Sequence, residues 1–290
     1  MYAARDHGRT AAGQEHLPLL RRKAKLIRNP ADQIAHPPHP VCRVLQHREK
    51  KLFVAWDTAC HTMHIAFTPG DEKPTLYRST RMILHSFWRS LATYRVRIAL
   101  NLKGLTVQDH LIDLDRGDQH DPAYRAINPM GAVPALVLDD GTVLTQSLAI
   151  LEWIEETHPA PPLLPQDPVA RARIRALCAI TVADTHPLVV PRVQKALAAH
   201  GLTEPQRIAW NANWFTLGLQ AYEVQVGPGP FCAGTAPTLA DACLASHVAG
   251  AERFGVDLAP FQAVRAIQAA CMALPAFATA HPLRQTGAPK

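Results

Sequence analysis

Four places in the sequence combine residue types that could handle an anion or a thiol. The first is Phe87-Trp88-Arg89-Ser90-Leu91-Ala92-Thr93, where Ser90 lies in a loop feeding a predicted helix. Free N–H groups and the dipole at a helix N-terminus favour negative charge, so a thiolate or alkoxide would be stabilised there. No His/Asp pair stands at a recognised spacing from Ser90, which argues against a hydrolase nucleophile and for a hydrogen-bond donor to an anion. The second is Val133-Pro134, in Asn128-Pro129-Met130-Gly131-Ala132-Val133-Pro134. A cis bond there would turn the Val133 backbone outward and leave its N–H and C=O for a ligand's peptide groups; a trans turn proline is the plainer alternative. The third is Gln146-Ser147 at a predicted helix start, either a carboxylate or phosphate pocket or a cap serving only its own helix. The fourth, Thr238 with Asp241, reads as a structural capping box.

The elements that must position these residues are legible by periodicity. A short buried strand is predicted over 82–87, then a helix over 93–103 closed by Gly104. Its apolar face holds Tyr94, Ile98 and Leu102 with Val96, Ala99 and Leu100, and Arg95, Arg97 and Lys103 mark its wetter side. A strand over 106–114, a polar loop over 115–120 and a short helix over 122–127 follow. Strands over 133–138 and 142–145 flank the turn Asp139-Asp140-Gly141. Ser147 caps a helix running to Thr157. The order β-α-β-α-β-β-α is an α/β layer. Five prolines within 158–168 mark a linker. Helices are predicted over 168–199, 204–226, 238–254 and 261–273, the first kinked or shortened by Pro187 and Pro191. They should pack as a bundle.

The formal charge of +6 on 290 residues invites a nucleic-acid or membrane partner until it is located. Residues 1–81 hold 14 Lys/Arg and 7 Asp/Glu, whereas 82–290 hold 16 and 17. The basic balance therefore belongs to an N-terminal extension, and the body gives no electrostatic case for nucleic acid. The extension carries seven of the fifteen His, the cluster RRKAK at 21–25, and short apolar pieces at 52–56 and 64–67. It is expected to be disordered or not native, with translation from Met82 as one reading. Cys42, Cys60, His61 and His64 fit no common zinc spacing, and no metal is expected. No run is long and apolar enough to span a membrane. Cys178, Cys232, Cys243 and Cys271 form no CxxC pair and read as free core thiols of a cytoplasmic protein.

Taken together, these motifs resemble the zeta class of the glutathione transferase superfamily, which includes maleylacetoacetate isomerase and glutathione-dependent maleylpyruvate isomerase. The resemblance rests on RSLATYRVRIALNLKG (89–104), NPMGAVPAL, LTQSLAILEWIEETHP, PPLLPQDP, GAERFGVDL and ALPAFATAHPLRQ, and it covers about 82–287. It implies a thioredoxin-like glutathione-binding domain over 82–162, an all-α bundle over 168–290, and a homodimer. It implies that glutathione is the cofactor, with Val133 pairing its backbone beside cis-Pro134, Gln146 and Ser147 holding the γ-glutamyl end, and Gln119 touching the tripeptide. His186 and Arg192 would line the cofactor site, and Ser90 would hydrogen-bond the sulfur. Arg89 and Arg253 would hold the carboxylates of a diacid, unless each is spent on a salt bridge or a solvated stem. The implied reaction converts maleylacetoacetate to fumarylacetoacetate, in aromatic amino-acid catabolism, or maleylpyruvate to fumarylpyruvate. A general transferase conjugating electrophiles and a non-catalytic interaction protein are the alternatives. Leu91, Val189, Val190, His247 and Gly250 depart from the family pattern and strip hydrogen-bonding groups from the expected site.

Overall fold

In a computed structural model the chain is described throughout 82–289 and, before that, only along three strands. It divides into two units, Met1–Tyr77 and Arg78–Lys290. In the first unit β1 (Arg43–His47), β2 (Lys50–Asp57) and β3 (Thr62–Phe67) form an antiparallel sheet with β2 in the middle. The two apolar pieces of the extension fall on β2 and β3, in keeping with the strand preference of their aromatic and branched residues. The other expectations about the extension, including RRKAK, Cys42, Cys60 and His61, lie outside the described residues.

The second unit opens with β4 (Ile83–Ser86), α1 (Leu91–Leu102), β5 (Gln108–Leu111), α2 (Pro122–Ile127), β6 (Ala135–Val137), β7 (Val143–Thr145) and α3 (Ser147–Thr157). The sheet order is β5-β4-β6-β7, with β4 and β5 parallel and the other pairs antiparallel. This is the thioredoxin-like arrangement. The bundle follows as α4 (Pro168–Ala179), α5 (Pro191–Ala199), α6 (Glu204–Gln225), α7 (Leu239–Arg253), α8 (Gln262–Met272) and α9 (Pro275–Ala280). The expected helix over 168–199 is broken: α4 passes into a wide π-type turn at Ile180–Thr185 and a 3-10 turn at His186–Leu188 before Pro191 starts α5. Pro187 and Pro191 cannot supply the N–H groups a continuous helix needs.

Helix α7 is the axis of the bundle. Twelve of its fifteen residues are buried, so it is packed on nearly all sides, against α1, α4, α6 and α8. Thr238 and Asp241 close the expected capping box at its start, and Asp241 also accepts the Cys232 N–H at 2.7 Å.

Helix α1 corrects the sequence reading twice. It starts at Leu91 rather than Thr93, with Ser90 as its N-cap. It also has no wetter side of Arg95, Arg97 and Lys103, because α3, α7 and α9 all pack on it. Arg95 is 2% exposed and Arg97 6%, and Arg97 donates to Ser86 Oγ at 2.8 Å. Lys103 Nζ donates to Glu155 and to the Pro161 carbonyl, each at 2.6 Å. Glu155 in turn accepts the N–H groups of Leu163 and Leu164 at 2.9 and 3.1 Å. One buried carboxylate thus ties α1, α3 and the proline-rich linker together; the main apolar core runs through both layers, and a smaller cluster of Phe87, Ile112, Tyr124 and Val133 lies apart from it.

Candidate functional site

Ser90 leaves β4 through the turn Phe87–Ser90 and caps α1, its Oγ accepting the Thr93 N–H at 3.2 Å. The hydroxyl oxygen is thereby oriented, and its proton remains to donate outward. Ser90 opens onto a cavity of about 880 Å³ between the thioredoxin-like layer and the bundle. Of the residues predicted from sequence, the cavity is lined by Arg89, Ser90, Gln119, Val133, His186, Arg192 and Arg253. Pro134, Gln146 and Ser147 are not among its lining residues.

Two features of the lining invite a peptide-like ligand. The Val133-Pro134 bond is cis, as the outward-facing reading required, and the Val133 N–H and C=O enter no hydrogen bond within the described chain. An unpaired backbone donor and acceptor in a mostly buried residue call for an outside partner. Gln119, in a 3-10 turn at Asp118–His120, donates to the Leu114 carbonyl at 3.4 Å while its buried Oε1 has no partner. Both groups suit the amide and peptide groups of glutathione.

Helix α3 starts differently from the reading that made Ser147 its cap. Gln146 is the N-cap, with φ 68° and no side-chain hydrogen bond, and Ser147 is the first helical residue. A side chain held in the left-handed region is strained, and such strain gathers where backbone must meet a ligand. Ser147 Oγ accepts Arg95 Nε–H at 2.8 Å, and the same guanidinium reaches His186 Nδ1 at 3.5 Å. Arg95, whose charge alone would place it on a wet face away from any site, links the α3 start to the cavity wall.

The cations differ in what holds them. Arg89 is ion-paired to Asp115 and lies over the rings of Phe87 and Trp88. Arg253, in the last turn of α7, enters no ion pair among the described residues and lies over Phe254, 5.6 Å from the ring centre. Desolvation first, then repulsion from Arg89, pulls its pKa down. An incoming carboxylate would relieve both. His186 is driven well below the ordinary imidazole range by burial, with Arg95, His247 and Arg192 adding repulsion, so it stands neutral in the wall.

The departures at Leu91 and Gly250 are one feature. A Cβ at position 250 would run into Phe215 and come within 2.6 Å of Leu91 Cδ1. Glycine there makes room for two apolar side chains, and with Val189 they give the cavity an apolar flank. Among the described residues no group of His, Cys, Asp or Glu could hold a metal ion.

The family profile for the glutathione S-transferase N-terminal domain matches residues 89–157. The chain is 43% identical to maleylacetoacetate isomerase of Pseudomonas aeruginosa, over 72% of this chain and 99% of that one. A solved maleylpyruvate isomerase described as a bacterial zeta-class glutathione S-transferase is 42% identical, with a TM-score of 0.69 over 71% of this chain and all of that one. This chain belongs to the zeta-class glutathione transferase family. Maleylpyruvate isomerase of a Ralstonia species is also 43% identical, over 70% of this chain and 98% of its own. A crystal structure of maleylacetoacetate isomerase from Methylobacterium extorquens AM1, holding malonate and glutathione, is 49% identical and superposes with a TM-score of 0.70 over 72% of this chain and all of that one. No described helix of this family member is long and apolar enough to cross a membrane.

Proposed function

We propose that the chain is a glutathione-dependent cis–trans isomerase of maleyl diacids, taking maleylacetoacetate to fumarylacetoacetate or maleylpyruvate to fumarylpyruvate. The observation that carries this reading is one cavity holding an outward hydroxyl at a helix N-terminus, the unpaired Val133 peptide edge and the unpaired guanidinium of Arg253. When bound, glutathione supplies a thiolate that adds to the substrate double bond and leaves after rotation. Ser90 donates to the sulfur, and the free N–H groups of α1 favour its negative charge. Val133, beside Pro134, and Gln119 hold the tripeptide, and Gln146 and Ser147 hold its γ-glutamyl end. His186 and Arg192 close the bundle side. Arg253 binds a substrate carboxylate and steadies the enolate formed on addition, a charge that Arg89 on the same rim assists. The Methylobacterium extorquens relative was solved with both malonate and glutathione bound, which supports a dicarboxylate as the second ligand of this site.

The assay supplies purified protein with excess maleyl diacid and glutathione at a few per cent of its concentration. Complete conversion with the thiol recovered is expected. Conversion that stops when the thiol is used up would assign the chain to electrophile conjugation instead. That second reading is favoured by one observation, the apolar flank of Leu91, Phe215 and Val189, which suits a neutral electrophile. We further propose a cytoplasmic homodimer. The free thiols among the described residues, all four buried, suit a reducing compartment, and light scattering of the native protein tests the assembly.

A further inference from the structure

Arg95 is 2% exposed, yet none of the ion pairs among the described residues includes it. Its donors go instead to three neutral groups: Nε to Ser147 Oγ at 2.8 Å, one terminal nitrogen to Ser246 Oγ at 3.2 Å, and the other towards His186 Nδ1 at 3.5 Å. A guanidinium has donors only and stays charged in proteins. A buried cation without a carboxylate is costly unless another anion completes it. Ser246 is fully used, because it also donates to the Cys243 carbonyl at 2.8 Å. Ser147 and His186 are not. Since Arg95 can only donate, Ser147 Oγ must accept, and the hydroxyl proton has no acceptor among the described residues. By the same logic His186 Nδ1 must present its lone pair, which places the ring proton on Nε2, in a residue lining the cavity.

We infer that Arg95 is a positioning residue for the cofactor: it sets the Ser147 rotor and the His186 tautomer so that both donate towards bound glutathione, and its uncompensated charge is completed by the γ-glutamyl carboxylate. The inference rests on the glutathione reading of the site. Arg95 itself touches neither the sulfur nor the substrate.

Two measurements test it. In native protein labelled with 15N at histidine, the His186 signal, identified by its loss in His186→Gln, is expected in the Nε2–H form. An Nδ1–H form overturns the inference. In calorimetric titrations with glutathione, Arg95→Met and Ser147→Ala are each expected to weaken binding at least ~10-fold, the double variant being no more than ~3-fold worse than either. Multiplying effects overturn the coupling. For 4-aminobutyryl-cysteinylglycine, which lacks the α-carboxylate, Arg95→Met is expected to change affinity less than ~3-fold. Equal losses for both ligands overturn the carboxylate assignment. Should Arg95→Met fail to fold, the native His186 tautomer decides alone. A native protein that binds no glutathione removes the reading beneath; binding with multiplying effects removes only the role of Arg95.

Discussion

Ser90 holds one observed role in the fold and one proposed at the sulfur, and substitution can separate them. As N-cap its oxygen accepts the Thr93 N–H, and as a hydroxyl its proton is available to a sulfur. Ser90→Ala should lose both, costing about 1 kcal/mol of stability and on the order of 10²-fold in turnover, with little change in glutathione affinity. Ser90→Asn keeps a capping oxygen, so its urea midpoint should return towards the native value while turnover stays low. Turnover unchanged in the alanine variant would remove the donor role. Arg253 is the second residue with a separable effect. Arg253→Met should raise KM for a maleyl diacid by ~10-fold or more and leave a neutral electrophile nearly untouched, because only the diacid brings a carboxylate to the unpaired guanidinium. Equal effects on both substrates would reject carboxylate recognition. Sequence motifs locate both residues but not their states. Whether an arginine is spent on a neighbour depends on Asp115, 26 positions from Arg89, and no local pattern records that pairing.

At the scale of elements, helices and strands are legible where an apolar stripe runs for several turns, as in α1, α3 and α7. Short α9, six residues after Leu274, carries too few turns to show a period, and periodicity does not find it. The wet side expected of α1 fails for a different reason. Residue type says Arg95, Arg97 and Lys103 should meet water, but their partners Ser147, Ser86 and Glu155 are brought in by other elements. That arrangement predicts an asymmetry. Glu155→Ala leaves Lys103 buried without its carboxylate and frees the N–H groups of Leu163 and Leu164, and should cost roughly 3–5 kcal/mol. Lys103→Met leaves Glu155 with both backbone donors and should cost distinctly less. Urea unfolding of the two variants compares them; equal losses would mean that the linker contacts add nothing. Gly250→Ala belongs to this scale too. Phe215, 1% exposed and stacked on Phe254, cannot yield to a new Cβ, so overpacking should cost about 1–3 kcal/mol. Phe215→Leu in the same chain should recover part of the loss.

At the scale of the molecule, the body carries almost no net charge, so its response to pH is set by a few buried groups rather than by general repulsion. His247 is fully buried on α7, donating Nε2–H to the Phe215 carbonyl at 2.9 Å, with Thr185 Oγ1 3.4 Å from its other nitrogen. Burial chiefly, with repulsion from Arg95 beyond that and the Phe215 carbonyl opposing, pulls its pKa from 6.5 to about 4. The folded state therefore refuses a proton that the unfolded chain takes up below about pH 6.5. Stability should be level above that pH and fall as the solution is acidified towards pH 4, His247 alone accounting for about 2 kcal/mol between pH 7.5 and 5. His186, also shifted down, acts in the same direction. His247→Gln keeps a donor and an acceptor but cannot be protonated, so its unfolding free energy should fall less steeply over that interval. The comparison of urea midpoints at pH 7.5 and 5 reads the difference directly. Parallel profiles for the two proteins would show that the acid sensitivity of the bundle arises elsewhere than at the axis of α7.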